Sequence, residues 1–106
     1  AYIGMGETAE NVARRHQVTR AEQEEFAVAS HRKAAAAQAA GKLAGEIVPI
    51  TVGGATVEAD GCIRPETTAE GLAGLKPAFR ADGTVTAGTS SPLTDGAVAL
   101  LVCTMD

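Results

Sequence analysis

The sequence has few aromatic side chains and no excess of positive charge. It contains no tryptophan, one tyrosine and two phenylalanines, which leaves almost no surface on which nucleic-acid bases could stack. Nine basic residues stand against 13 acidic ones, for a formal charge of −4, whereas binding to nucleic acid or to an anionic membrane requires a basic face. These shortages exclude a nucleic-acid partner and a polybasic membrane anchor.

The sequence also lacks a long hydrophobic run. The longest apolar stretch covers residues 97–103, whereas a helix needs about 20 apolar residues to cross a bilayer. No basic segment followed by a hydrophobic stretch opens the chain, as a secretory leader would require. We therefore predict that the protein has no membrane span and is cytoplasmic.

Residues that could carry chemistry are scarce. Cys62 and Cys103 are far apart and form no Cys-x-x-Cys motif, so we expect two reduced thiols rather than a disulfide or a zinc site. His16 and His31 fall on predicted polar helix faces without a nucleophile in reach, and we expect both to be solvated. The acidic residues lack the alternation of a calcium loop, and no nucleotide-binding glycine motif occurs. We predict no metal, no cofactor and no catalytic residue.

Large aliphatic residues are scarce too. Alanine supplies 22 of the hydrophobic residues, whereas Leu, Ile, Val and Phe together number only 21 of 106. A chain of this size normally buries roughly two-thirds of its unfolded surface, and about 20% large aliphatic residues approaches the composition of chains that do not fold alone. We expect a module whose apolar residues complete their packing against other parts of a larger protein. The missing initial methionine also suggests a segment of a longer protein.

Local signals predict three helices, over residues 8–16, 20–41 and 68–75. Thr8 is the predicted N-cap of the first helix. The pairs Thr19-x-x-Glu22 and Thr67-x-x-Glu70 have the spacing of capping boxes and predict the starts of the other two. The second helix is rich in alanine, and Gly41 is expected to end it. Its predicted packing face contains Phe26 and several alanines, with Glu24 and His31 on the solvated face.

The β-branched stretches on either side of Gly53 and Gly54 predict a hairpin over about residues 46–59. Pro49 cannot donate to a ladder and indicates an edge strand. A short strand is predicted over residues 84–87, and the apolar residues 97–103 predict a fully buried strand in which Cys103 is inert.

Between these two predicted strands lies the sequence GTSSPLTDG, which is too rich in turn-forming residues for a helix or a strand. The loop at residues 87–91 is built of small residues and follows a strand end, where ligands bind in open α/β sheets. Small side chains would let a ligand lie against the backbone, and Ser90 and Ser91 offer hydroxyls. Composition alone favours the alternative of a tight polar turn without a ligand.

Five segments of this sequence, in this order and spacing, resemble the thiolases. They are MGETAENVA at 5–13, TRAEQEEFAVASHRKAAAA at 19–37, GEIVPI at 45–50, IRPETTAEGLAGLKPAF at 63–79 and GTVTAGTSSPLTDGA at 83–97. The TAGTSS and IRPETT forms are more similar to the degradative 3-ketoacyl-CoA thiolases of fatty-acid β-oxidation than to the biosynthetic acetoacetyl-CoA enzymes. The resemblance covers essentially the whole chain.

The resemblance implies an α+β fragment of the α/β thiolase fold. Residues 1–93 would be most of the loop domain, and residues 94–106 the last strand of the N-terminal half. In the family the nucleophilic cysteine precedes this stretch, and the catalytic asparagine, histidine and second cysteine follow it. The parent would be a transferase that cleaves 3-ketoacyl-CoA with CoA to acetyl-CoA and a shortened acyl-CoA, or runs the reverse condensation. This chain alone would be inactive. Its expected partners are the rest of the thiolase chain and, in the parent enzyme, further copies of that enzyme.

The resemblance also implies that this segment binds coenzyme A as a substrate rather than as a cofactor. Met5 matches a methionine of the pantetheine channel, and Arg64 an arginine near the adenine nucleotide end. Ala87, Ser91 and Leu93 match residues that hold the pantetheine arm, with Ser91 as the polar contact. Two alternatives remain: a non-catalytic CoA-binding or scaffold module of thiolase ancestry, and an unrelated helical interaction domain.

Overall fold

The computed structural model describes residues 2–104. The predicted segments 1–93 and 94–106 therefore extend beyond the described residues at Ala1 and at Met105 and Asp106. Residues 2–104 form three α-helices, a two-stranded sheet and two 3₁₀ turns. In order these are α1 (Met5–His16), α2 (Arg20–Ala39), a turn at Ala44–Glu46, β1 (Ile50–Val52), β2 (Ala55–Val57), α3 (Ala69–Ala73) and a turn at Ala87–Thr89.

Helix α1 begins three residues before its predicted start. Its N-cap is Gly4, which has extended backbone angles and no side-chain cap. The predicted N-cap, Thr8, lies inside the helix, and its hydroxyl donates to the carbonyl of Gly4 at 3.2 Å. Thr8 as N-cap was therefore wrong, because a threonine hydroxyl can also bond the carbonyl four residues back.

Helix α2 has the predicted capping box. The Thr19 side chain accepts from the N–H of Glu22 at 3.2 Å, and the Glu22 carboxylate accepts from the N–H of Thr19 at 2.7 Å. The helix ends at Ala39 rather than at 41, and Gly41 adopts the left-handed φ of +70° that follows many helix ends.

Helix α3 is capped by Thr68, whose side chain accepts from the N–H of Gly71. The predicted cap, Thr67, donates its hydroxyl to the carbonyl of Arg64 at 2.8 Å, so the second predicted capping box was wrong. α3 also stops at Ala73, two residues before its predicted end. The strand predicted at residues 84–87 is reduced to a single bridge between Pro77 and Thr86.

The hairpin around the two glycines is confirmed, although it is shorter than residues 46–59. Ile50 lies opposite Val57 and Val52 opposite Ala55, with Gly53 and Gly54 at φ of +58° and +85°. All six strand residues are exposed, so the hairpin has no packed face within the described residues.

The buried strand predicted at residues 97–103 does not form in this chain. Residues 91–104 have no regular secondary structure and are exposed, and Leu101 and Val102 are each 92% exposed. Cys103, predicted to be buried, is exposed as well. A strand needs a neighbour for its backbone hydrogen bonds, and within residues 2–104 the sheet consists of β1 and β2 alone.

The apolar core is small. Its buried members are Ala13 of α1, Val28 of α2, Leu72 of α3 and Val85 of the segment before the second 3₁₀ turn. They join the three helices to the segment that carries the predicted ligand loop. Phe26, expected on the packing face of α2, is 73% exposed.

Candidate functional site

A groove of about 480 Å³ runs between helix α2 and the turn at Ala87–Thr89. Helix α2 contributes Phe26, Ala27, Ser30 and His31 to one wall, and residues 88–90 form the opposite wall. The surface of the groove as a whole is mostly apolar, and Ser30 and His31 of α2 add polar groups to it. It could hold an elongated ligand with an apolar body and a few polar groups.

The turn is fixed against helix α3 by close contact. A Cβ added at Gly88 would overlap the side chain of Leu72 and lie 2.7 Å from that of Leu75, so a larger residue at this position would have to displace both leucine side chains. Within the turn, the N–H of Thr86 donates to the hydroxyl of Thr89 at 3.1 Å, and Ser90 donates to the carbonyl of Thr86 at 2.8 Å.

Glu10 of α1 holds the segment before the turn. Its carboxylate, in a residue that is only 4% exposed, accepts from the N–H of Thr84 at 3.0 and 3.1 Å and from the N–H of Val85 at 2.9 Å. Burial raises the pKa of the Glu10 carboxyl, but the hydrogen bonds from Val85 and Thr84 outweigh burial and leave the pKa below its usual 4.5. The charge of Arg80 acts in the same direction.

Two arginines tie the other elements together. Arg80 donates through Nε to Glu7 at 2.7 Å and through Nη2 to Asn11 at 2.8 Å. Arg20 pairs with Glu24 at 2.6 Å, and it also donates to three backbone carbonyls at the C-terminal end of α3. The acceptors are Leu72, Ala73 and Leu75, at 3.0, 3.1 and 2.6 Å.

None of the five predicted site residues lines the groove itself, but three are next in sequence to a lining residue or hydrogen-bonded to one. Ala87 opens the turn, and Ser91 directly follows the wall residue Ser90. The N–H of Arg64 donates to Nδ1 of His31, a wall residue, at 3.1 Å. Met5 and Leu93 are 81% and 104% exposed and do not line the groove.

Three side chains have roles that the sequence reasoning missed. Glu24 and His31 were predicted to be solvated, which was wrong: Glu24 is buried in its pair with Arg20, and His31 is half-buried and accepts from Arg64. Glu10 was not predicted to have a partner outside its own helix. The available signal was that Glu7, Glu10 and Asn11 share one face of a helix by their spacing.

Groups suited to metal binding are not gathered anywhere in residues 2–104, since no three His, Cys, Asp or Glu side chains are close enough to hold an ion. Cys62 and Cys103 are free thiols and are both exposed. The N–H of Cys62 donates to the Asp60 carboxylate at 2.7 Å.

Comparison with known proteins places the chain in a family. The family described as "Thiolase, N-terminal domain" matches residues 2–106. The chain belongs to the thiolase family. The resemblance recognised in the sequence is thereby confirmed.

Similar proteins carry both biosynthetic and degradative names. This thiolase chain is 55% identical over 106 residues to "Acetyl-CoA acetyltransferase" of Paracoccus denitrificans, which covers 96% of this chain and 27% of the relative. It is 50% identical to "3-ketoacyl-CoA thiolase, peroxisomal" of Homo sapiens, over 94% of this chain and 26% of the relative. The chain thus spans about a quarter of the length of these relatives.

A solved structure supports the same fold. Human mitochondrial 3-ketoacyl-CoA thiolase, crystallised in complex with CoA, matches with a TM-score of 0.75 and 42% identity. The match covers 79% of this chain and 21% of the human one. The thiolase fold expected from the sequence is therefore confirmed at that level, whereas the division into residues 1–93 and 94–106 stays a prediction.

The helices of the described region, residues 2–104, include none with the length and apolar character that a bilayer crossing requires. The cytoplasmic location stays a prediction, because the similar proteins include ones named as peroxisomal and as mitochondrial.

Proposed function

We propose that this chain is part of a thiolase that cleaves 3-ketoacyl-CoA with CoA to acetyl-CoA and a shortened acyl-CoA, or runs the reverse condensation. In this proposal the segment contributes to CoA binding and supplies no catalytic residue. The observation that carries the proposal is the family match over residues 2–106. The 42% identity to a thiolase whose structure contains CoA adds support.

The groove beside α2 has a chemistry that suits the pantetheine arm of CoA. That arm is a flexible, uncharged chain with two amide groups, so it needs an apolar wall and a few hydrogen-bonding groups. Phe26 and Ala27 supply apolar surface. On the opposite side, the hydroxyl groups of Thr89 and Ser90 donate to the Thr86 carbonyl, so towards a ligand they can act only as acceptors. Ser91 follows them and is exposed, which leaves its hydroxyl free to bond an amide of the arm.

Arg64 suits the other end of CoA, which carries phosphates and adenine. A guanidinium can donate to phosphate in a bidentate manner or stack on an aromatic base. The hydrogen bond from the Arg64 backbone N–H to His31, which lines the groove, supports this assignment. Ala87 would let the arm approach the backbone, and Met5 and Leu93 would contribute apolar contacts once the rest of the thiolase surrounds them.

The preference for degradative thiolysis is part of the proposal and rests on the TAGTSS and IRPETT segments. We also propose that the parent enzyme assembles with further copies of itself into a homo-oligomer. The alternative, a non-catalytic CoA-binding module of thiolase ancestry, differs from the leading proposal by lacking a reactive cysteine elsewhere in the chain.

Thiolysis assays test whether the catalytic residues lie outside this 106-residue segment. The isolated 106-residue chain should not cleave acetoacetyl-CoA or longer 3-ketoacyl-CoA, because covalent catalysis requires an activated nucleophile. A full-length thiolase that contains these residues should turn over both substrates. Turnover by the isolated chain that Cys62→Ser abolishes would contradict the proposal. A full-length protein that binds CoA without turnover would favour the non-catalytic module.

A further inference from the structure

Helix α1 presents a row of polar side chains to the segment at residues 80–85. Glu7 and Asn11 bind Arg80, and Glu10 binds the backbone N–H groups of Thr84 and Val85. All of these bonds join residues about 70 positions apart in sequence. The row is thus the main polar connection between α1 and the segment that leads into the groove wall.

The contact at Glu10 is tightly packed as well as hydrogen-bonded. A Cβ added at Gly83 would overlap the Glu10 carboxylate and would lie 3.0 Å from the carbonyl of Arg80. The carboxylate therefore lies directly on the glycine backbone. Helix α2 adds a second anchor, because Gln23 Nε2 donates to the hydroxyl of Thr84 at 2.9 Å.

Hydrogen bonds continue from this anchor to the groove. Val85 is followed by Thr86, which is fully buried. Thr86 then exchanges hydrogen bonds with Thr89 and accepts one from Ser90. A displacement of the backbone at residues 84 and 85 would therefore move the hydroxyls of Thr89 and Ser90 and the start of Ser91.

We propose that Glu10 is a positioning residue for CoA binding: its ionised carboxylate fixes the backbone at Thr84 and Val85, and through them the groove wall at residues 88–90 and the adjoining Ser91. The inference rests on the proposed function, since it names the group that orients the proposed CoA contacts. Glu10 itself does not line the groove and acts only through the turn.

A carboxylate is suited to this role in a way that an amide is not. Both oxygens of ionised Glu10 accept, and each has an N–H partner in the segment. In Glu10→Gln one oxygen is replaced by an NH₂ donor, which would point at the backbone N–H groups of Thr84 and Val85. Glu10→Asp keeps two acceptors but is shorter by one methylene, so it should restore part of the function.

The experiment uses a full-length thiolase that contains these 106 residues, as wild type and with Glu10→Gln or Glu10→Asp. The matched control is Glu25→Gln, which changes an exposed glutamate of α2 that does not line the groove. The first readout is the amide hydrogen exchange of residues 84–91. The second is the split between KM for CoA and kcat at saturating CoA.

Glu10→Gln should speed exchange at residues 84–91 and raise KM for CoA, each by about tenfold, as expected for a lost hydrogen-bonded anchor. kcat should stay within about twofold, because the reacting groups lie elsewhere. Glu10→Asp should fall between Glu10→Gln and wild type, and Glu25→Gln should match wild type. If Glu10→Gln does not fold, the Glu10→Asp values decide.

A folded Glu10→Gln or Glu10→Asp variant with the wild-type KM for CoA would overturn the inference. If the thermal midpoint fell while KM stayed unchanged, Glu10 would have a purely structural role. Unchanged exchange at residues 84–91 would overturn it as well. A wild-type protein that does not bind CoA would instead overturn the proposed function, and the inference with it. The wild-type measurement therefore separates these failures.

Discussion

Two buried glutamates show how single residues connect the elements of this thiolase segment. Glu24 is paired with Arg20, which also donates to two carbonyls of α3 and to that of Leu75 just beyond it. Glu10 is stabilised mainly by backbone N–H groups. Burying a charge is costly unless it is paired or hydrogen-bonded, and both residues satisfy this condition through partners that are distant in sequence.

The ionisation of Glu10 is the first testable consequence. Because its folded-state pKa lies below the usual 4.5, its ionised form stabilises the fold fully above about pH 4.5. This contribution is lost as the pH falls through the lower folded-state value. A carbon-13 NMR titration of the Glu10 carboxyl should give a midpoint below that of the chain unfolded in urea. A midpoint at or above the unfolded value would mean that burial dominates over the hydrogen bonds.

Ser91→Ala and Arg64→Ala should weaken CoA binding by a full-length thiolase in different ways. Ser91→Ala removes one hydrogen bond, worth about 0.5–1.5 kcal/mol, so it should cost up to roughly tenfold in affinity with little salt dependence. Arg64→Ala removes an exposed charge, and its effect should fade as salt rises.

Dissociation constants for both variants at two salt concentrations test this difference, with Thr94→Ala as a matched control in the exposed segment that follows the loop. Unchanged affinity in both variants, with the fold intact, would leave the loop with only a structural role.

At the scale of elements, α2 depends on a cap that is local in sequence. Thr19→Ala should destabilise the helix by about 0.5–2 kcal/mol, since Thr19 satisfies the Glu22 N–H. The expected result is a loss of helical circular dichroism at 222 nm in the 106-residue chain. Thr94→Ala, in a segment without secondary structure, should have no effect, and equal spectra for both variants would contradict the importance of the cap.

The same locality explains which elements could be predicted from the sequence. The Thr19 capping box and the hairpin at Gly53 and Gly54 depend on residues within a few positions, and both were predicted. Thr8 and Thr67 were assigned as caps wrongly, because each hydroxyl has a competing carbonyl within four residues. The strand at residues 97–103 failed to form because a strand depends on neighbours that no local pattern specifies.

The candidate site follows the same rule. The small-residue loop at residues 87–91 was recognised from its composition, and the structure places it beside the groove. Spacing puts Glu10 on one helix face with Glu7 and Asn11, but it does not show which segment Glu10 binds, since its partners Thr84 and Val85 are 74 and 75 residues away. The contact between His31 and the Arg64 backbone spans 33 residues and was missed for the same reason.

At the scale of the whole molecule, the chain is more extended than its length requires. Its radius of gyration is 17.7 Å, compared with about 13 Å for a compact domain of 100 residues. The large apolar side chains of the hairpin and of residues 91–104 are exposed to solvent and do not pack against the small core. This shape agrees with a segment that completes its packing within a larger thiolase.

The most direct test of the central claim is the CoA dissociation constant of a chimaera. Residues 2–106 would replace the matched segment of the Paracoccus denitrificans acetyl-CoA acetyltransferase, to which the chain is 55% identical. If this segment supplies CoA contacts, the chimaera should bind CoA within about tenfold of the unaltered enzyme, a difference of about 1.4 kcal/mol. The double variant Arg64→Ala, Ser91→Ala should bind more weakly than the chimaera. A folded chimaera that binds no CoA, or whose affinity the double variant leaves unchanged, would contradict the claim.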